Sequence, residues 1–440
     1  MRSTITFPIE EGFIERLVTY IGQQELGMCF LGKGWNFDGD CLAGIGMIDQ
    51  VESAVVTDSI EFCKDAGDVV FCHLNYEVKD QLEALQSRNH DTTPFELFKF
   101  FIPEVVFQVS GSNVTVSFYE ERQNEAAIRE MMEAIHGTET PSGKIKGGSQ
   151  FHRLDEAHYL EALQSLKQHI QRGDVYQANY CQEFYWEQVE LNPSALFMTG
   201  FNRMPNPFSV FYRNGASTLM SFSPERFLEF NGRIVRSQPM KGTSPRDPDH
   251  KVDEKNRETL RKSEKDRREN VMIVDLVRND LSHFAARGSV TVPELYRIET
   301  YPRVHQMYST VEATLKEGAH PIEALLKAFP MGSMTGAPKV RAMQILEQLE
   351  RSKRGIYSGT VGFMLPKGTG DFNVVIRSLV HFSETNCLSL HAGGGITDLS
   401  APAAEYEECL VKARPLFELV QDHFEESAPT LPLTREAATT

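Results

Sequence analysis

At 440 residues the chain is too long for one small hydrophobic core, so two lobes or one large α/β domain are the expected forms. Its 41% apolar content is ordinary globular composition, while a net charge of −16 opposes binding to nucleic acid or to anionic membranes, both of which want basic surface. No run of roughly 18 apolar residues occurs, and Met1 to Thr19 lacks the apolar centre of a secretory leader, so a cytoplasmic protein without a membrane span is expected.

Residues 1–145 alternate short apolar runs, such as Val69 to Cys72 and Val105 to Val109, with turn residues and carry no catalytic constellation. They read as an N-terminal accessory subdomain. The Gly, Thr, Ser and Lys of Thr138 to Ser149 read as a linker to a main domain over 150–425. That domain opens with a helix over Asp155 to Arg172, its leucines near 3.6 spacing and Gly173 as its stop.

Arg226 to Phe230 and Arg233 to Arg236 flank Asn231-Gly232, a strong hairpin signal. A two-residue turn there pairs Phe230 with Arg233 and Glu225 with Gln238. Lys241 then lies about 10 Å past that partner at ~3.3 Å per residue, a gap two long side chains can close. Such a carboxyl and amine are either a surface ion pair worth about 0–1 kcal/mol or a chemical pair.

Polar helices are expected over Asp247 to Asn270 and Lys339 to Arg351. Asp266 and Glu269 share one helical face, as do Glu405 and Glu408 on a helix that Ser400 or Asp398 could cap. If the two pairs converge they offer hard oxygens for Mg²⁺; if not, they are solvated faces. Arg377 interrupts the apolar strand from Phe372, where a guanidinium facing inward needs a carboxylate. The next apolar run ends in Gly393-Gly394-Gly395, whose backbone can approach an anion closely, and Tyr357 offers a hydroxyl. Together these describe a site for a small dicarboxylate. The tail over 427–440 reads as frayed.

Gly332 to Lys339 lacks the spacing of a phosphate loop, and Gly32-Lys33-Gly34 lacks a third glycine, so no nucleotide cofactor is expected. The seven scattered cysteines contain no C-x-x-C pair and read as reduced thiols.

The segments Pro224 to Phe227, Met240 to Thr243, Glu269 to Asp280, Thr335 to Lys339, Arg354 to Gly359 and Ala392 to Ile396 resemble, in the same order, those of the chorismate-utilising enzymes. The resemblance covers about residues 150–425. It implies an α/β (α+β) chorismate-binding fold with two packed β-sheets flanked by helices. It implies that Glu269 and Glu408 bind Mg²⁺, with Asp266 and Glu405 in support, and that the metal holds the ring carboxylate of chorismate. Arg377 and Tyr357 would hold the enolpyruvyl carboxylate, with Gly393, Gly394, Thr335 and Lys412 lining the pocket. Glu225 corresponds to the general acid for the departing C4 hydroxyl, a role that needs an upshifted carboxyl. His305 corresponds to the family's active-site histidine.

Two positions choose within the family. Isochorismate and salicylate synthases carry a water-activating lysine where this chain has Gln177, so ammonia is the expected nucleophile. Anthranilate synthases typically have alanine where Lys241 stands, beside Gly242 and Thr243. A lysine there resembles the aminodeoxychorismate synthase component I branch, which leads to para-aminobenzoate and folate. In that branch the lysine attacks C2 and ammonia then enters at C4, which requires a neutral amine. The resemblance implies that a separate glutamine amidotransferase subunit supplies the ammonia. Anthranilate synthase component I and a non-catalytic subunit that binds chorismate or an amino acid are the alternatives.

Overall fold

The computed structural model describes residues 2–83, 85–140, 143–301 and 304–424, and the backbone of 433–434. Two large sheets form, one of 13 strands and one of 10, and their order follows from which strands are apolar on both faces. Leu26–Leu31, Cys41–Ile45 and Val70–Leu74 are buried at every position, so each must be covered on both sides.

Side-chain alternation sorts these residues into layers. Met28, Phe30 and Leu42 of the larger sheet meet Phe71, Phe101 and Phe363 of the smaller one. Phe30 packs edge-on against Phe71 at 5.0 Å and Phe363 at 5.2 Å, a favourable aromatic geometry. Cys29 and Leu31 turn to the opposite face, beneath the helices Phe13–Gly22 and Glu125–His136. On the outer face of the smaller sheet, Val70, Cys72 and Leu74 belong to one extended apolar cluster with Ile273 and Val277 of the helix Glu264–Ser282, which packs on Val304–Thr314. The architecture is therefore helix, sheet, sheet, helix, as expected for two packed sheets.

Strands from the first 145 residues enter both sheets. Leu26–Leu31 pairs with Phe208–Asn214, and Val70–Leu74 pairs with Thr360–Leu365. Around the expected linker, Ile145 is buried and its amide donates to the His423 carbonyl at 2.7 Å, so its end is pinned to the turn that follows the helix Pro402–Gln421. Pro141 and Ser142 lie outside the described residues, as does the 427–440 tail except for Leu433–Thr434, which pairs parallel to Ser149–His152.

Several local expectations change. The hairpin pairs Asn231 with Ile234, two residues out from the expected register, and Arg226 with Gln238, one residue out, with only Gly232 at positive φ and an irregularity between Arg226 and Glu229. The polar helix from Asp247 is two helices, His250–Lys262 and Glu264–Ser282, broken at Ser263. The apolar stretch from Phe372 is two strands in different sheets, Thr369–Asn373 and Ser378–Phe382. Ala401, with no side-chain cap, starts the helix Pro402–Gln421 in place of Ser400 or Asp398. Among the described residues no helix is long and apolar enough to cross a membrane.

Candidate active site

The chain crosses between the two sheets at two adjacent points, and each crossing carries a polar side chain. Ser217–Ser223 of the larger sheet passes through Pro224-Glu225 into Arg226–Asn231 of the smaller. Thr369–Asn373 of the smaller returns to the larger through 374–377, ending at Arg377, whose φ is +53°. The Val374 amide donates to the Glu225 carbonyl at 3.0 Å, which stitches the crossings together. Glu225 and Arg377 thus face one cleft of about 420 Å³. Arg377 Nη1 donates to the Lys412 carbonyl at 2.9 Å, and burial draws its guanidinium below the usual value.

Lys241 reaches the same cleft by a bulge. In the edge strand Met240–Pro245, Met240 pairs with Tyr308 and Thr243 with Gln306, leaving Lys241 and Gly242 together opposite Met307. Such a bulge re-aims a side chain that regular alternation would send elsewhere. Gly242 sits at φ +90°, and a β-carbon there would come within 2.9 Å of Asp266 Cβ, so a glycine is required. The lysine crosses to the other sheet: a β-carbon on Gly395 would lie 3.2 Å from its Nζ.

The cleft perturbs the acid and the amine in opposite directions. Burial pushes the Glu225 carboxyl up to about 7, against a Ser333 hydrogen bond and the Lys241 and Lys412 charges. Burial and the Lys412 ammonium draw Lys241 below its ordinary value, and Glu269, Glu225 and Glu408 restrain that shift. A carboxyl that keeps its proton up to about neutrality and an amine that loses its proton more readily than an ordinary lysine are shifted toward the forms acid catalysis and nucleophilic attack need.

The break at Ser263 brings the carboxylates in. Ser263 Oγ caps the new helix by accepting the Asp266 amide at 3.3 Å, which sets Asp266 and Glu269 in its first turns at the cleft wall. From the C-terminal helix, Glu408 meets Lys412 Nζ at 2.7 Å, and that ammonium donates to the Gly393 carbonyl at 3.0 Å. A β-carbon on Gly394 would lie 3.5 Å from Glu405 Oε2 and 3.8 Å from Glu408 Oε1, so both carboxylates lean over the glycine strand. Burial raises the Glu269 carboxyl and Glu408 and Asp266 add to it, against Lys241 and Lys265. At Glu408, Lys412 and Lys241 outweigh burial and lower it.

Among the described residues no three His, Cys, Asp or Glu side chains are drawn into a ready metal cage. Mg²⁺ does not require one, since it keeps water and takes few protein carboxylates. Glu269, with Glu408 and Asp266 close enough to act on it, has the hard-oxygen chemistry that suits such an ion, with Lys241 and Lys265 offsetting part of their charge.

Tyr357 is fixed from behind. Fully buried Arg354 donates to Glu350 at 2.9 and 2.7 Å, to the Met334 carbonyl at 2.6 Å and to the Asn179 carbonyl at 2.7 Å. Its own carbonyl accepts the Tyr357 amide at 3.1 Å. His391 stacks on the Tyr357 ring at 5.2 Å and 20°. Arg354 had no role read from the sequence, and Gln306, Asn179, Ser333 and His391, which line the cleft, were not singled out.

Glu225, Lys241, Gly242, Thr243, Asp266 and Glu269 therefore share the cleft with Tyr357, Arg377, Gly393, Glu408 and Lys412. Gln177, Thr335, Gly394 and Glu405 are not among its lining residues: Gln177 pairs with Ala337, Thr335 Oγ1 donates to the Met331 carbonyl at 3.1 Å, and Gly394 and Glu405 lie beside Glu408 and Lys412. His305 is not brought to the cleft. Alternation on its strand turns Gln306 inward and His305 outward, where it is 1% exposed and bonded to Asp253 and Thr300.

The family described as chorismate binding enzyme matches residues 33–418. An aminodeoxychorismate synthase of Streptomyces griseus is 42% identical over 62% of this chain and 37% of its own length. Aminodeoxychorismate synthase component 1 of Escherichia coli is 39% identical over 61% of this chain and 58% of its own. The match thus spans well under two thirds of either relative. Anthranilate synthase component 1 of Thermus thermophilus is 38% identical over 64% of this chain and 60% of its own. Among solved structures, the menaquinone-specific isochorismate synthase of Escherichia coli superposes with a TM-score of 0.75 at 18% identity, covering 96% of this chain and 95% of that one. Anthranilate synthase component I of Streptococcus pneumoniae gives 0.70 at 21%, covering 94% and 91%. At these identities the superpositions speak to the fold, while the sequence match across most of the chain speaks to descent. The chain belongs to the chorismate-binding enzyme family.

Proposed function

We propose that this chain aminates chorismate at C4, the reaction of an aminodeoxychorismate synthase component I, on the route to para-aminobenzoate and folate. The observation that carries this reading is the bulge-aimed Lys241, its pKa lowered, in one cleft with Glu225. Neutral Lys241 attacks C2, the ring double bonds shift, and the C4 hydroxyl leaves as water with the proton of Glu225. Ammonia then attacks C4, the C2 bond to Lys241 breaks, and the proton that ammonia sheds returns to Glu225. Chorismate and ammonia thus give 4-amino-4-deoxychorismate and water.

Arg377 and Tyr357 would receive the enolpyruvyl carboxylate, with Lys412, Gly393 and Thr243 closing the walls. Glu269 and Glu408 would hold Mg²⁺, with Asp266 and Glu405 beside them. Bound there, the ion would supply positive charge for the ring carboxylate. His305 takes no part in contact with substrate in this reading. Ammonia would come from a glutamine amidotransferase subunit, a view supported by the component 1 designation of the relatives. Incubation with chorismate, Mg²⁺ and ammonium salt, followed by product identification, tests the proposal. Formation of 4-amino-4-deoxychorismate supports it; anthranilate would assign the reaction for which the Thermus relative is named, and no turnover would leave a binding subunit.

A further inference from the structure

The bulge that aims Lys241 lies in an edge strand, paired on one side only, and a bulge forfeits ladder bonds. Register in such a strand is weakly specified by the sheet itself. A single carboxylate outside the cleft gathers the segments around it. Asp253, on the helix His250–Lys262, accepts Arg246 Nε at 2.9 and 3.1 Å and the Asp247 amide at 3.0 Å, and is hydrogen-bonded to His305 Nε2 at 2.9 Å. Arg246 Nη1 donates to the Tyr301 carbonyl at 2.9 Å, and His305 Nδ1 meets Thr300 Oγ1 at 3.0 Å. Arg246 and Asp247 immediately follow the Lys241 strand, His305 lies near the start of its partner strand Val304–Thr314, and Thr300 ends Thr291–Thr300, which pairs with that partner.

We propose that Asp253 is a positioning residue that, by binding Arg246, the Asp247 amide and His305 at one point, holds the Lys241-Gly242 bulge in register and so keeps the amine aimed across the cleft. The bonds from Arg246 are charge-assisted, which makes them stronger than the neutral ladder bonds that the bulge forgoes. Arg246, the Asp247 amide and His305 hold the Asp253 carboxyl well below the usual carboxylate range, so the clamp stays charged wherever the protein is folded near neutrality. Buried His305 gains a mechanical role in the same arrangement. Ser244 pairs with it in the ladder, so anchoring the imidazole anchors the strand two residues past the bulge.

The kinetic consequence rests on the amination reading, but the mechanical one does not. In Asp253→Asn, amide hydrogen exchange of the peptide 240–247 should quicken about tenfold or more, while the peptide 226–238 in the adjoining hairpin keeps its wild-type rate. Turnover number should fall about tenfold or more with the KM for chorismate held within about twofold, because misaiming a nucleophile costs rate before it costs binding. Arg246→Gln, which removes one arm only, should shift both readouts in the same direction by less, and serves if Asp253→Asn does not fold. Unchanged exchange at 240–247 overturns the proposal, as does quickened exchange with an intact turnover number. If the wild-type protein itself does not turn over chorismate, the amination reading fails and the exchange result alone decides the clamp.

Discussion

Glu225 and Lys241 are perturbed in opposite senses by one low-dielectric cleft, and each perturbation is measurable. Because the folded Glu225 pKa of about 7 lies above its ordinary 4.5, burial of this group costs nothing below about pH 4.5, and the cost grows as pH rises through 7. Glu225→Gln should therefore melt above the wild type at pH 8, converge with it near pH 5, and be inactive at both. A mutant that melts below the wild type at pH 8 would refute the upshift. At Lys241 the covalent role predicts a lysine–ring adduct when ammonia is withheld, placed on the Met240-Lys241-Gly242 peptide by mass analysis. Lys241→Arg should fail despite its charge, since guanidinium stays protonated. Unimpaired C4 amination by Lys241→Ala would leave the lysine an electrostatic role. Glu269→Gln or Glu408→Gln should abolish the Mg²⁺ dependence together with activity while preserving the melting temperature to within a few degrees, because each carboxylate faces the cleft and not the core. Full activity of either mutant in chelator would remove the metal from the scheme.

Single elements fix these residues through irregularities, and the bulge at Lys241-Gly242 is the most exacting of them. Gly242→Ala must place a β-carbon within 2.9 Å of Asp266 Cβ at φ +90°. A destabilisation of about 1–3 kcal/mol is expected, with a larger proportional loss of turnover than of chorismate binding, read by thermal melts and steady-state kinetics. The same irregularities explain what the sequence could and could not reveal. Motif residues such as Glu225, Glu269 and Arg377 were legible because their types and order are distinctive, and the helix Glu156–Gln171 was legible from its leucine spacing and its Gly173 stop. The hairpin register was not, because Asn231-Gly232 suggests a turn while cross-strand packing chooses the pairing one or two residues out. His305 and Gln306 are neighbours on one strand, and only the ladder decides which enters the cleft. The helix break at Ser263 hides in a polar run whose composition is helical throughout, so the cap that places Asp266 emerges only with tertiary structure. Arg377 looked like an interrupted strand because the crossing between sheets leaves no apolar gap in the sequence.

At the scale of the molecule, the cleft exists because the chain passes twice between two stacked sheets at neighbouring points, while a helix start and the middle of another close it from the sides. Among the described residues, nothing in that arrangement supplies a nitrogen source. A glutaminase of the cysteine kind needs an accessible thiolate, whose pKa is lowered by nearby cations or a helix start. Here burial instead raises the thiols of Cys63, Cys181 and Cys387 to about 12 and that of Cys409 to about 11, and pushes Cys29 and Cys72 well up. The purified chain should accordingly aminate chorismate with ammonium and not with glutamine. At fixed total ammonium its rate should climb with pH as NH₃ accumulates. Divided by the concentration of free NH₃, that rate should stop rising above about pH 7, because each further gain in neutral Lys241 is offset by loss of the proton Glu225 must donate. Glutamine-dependent turnover by the chain alone would reveal an amidotransferase site within it, and a rate per NH₃ that keeps climbing well above pH 7 would remove Glu225 as the acid.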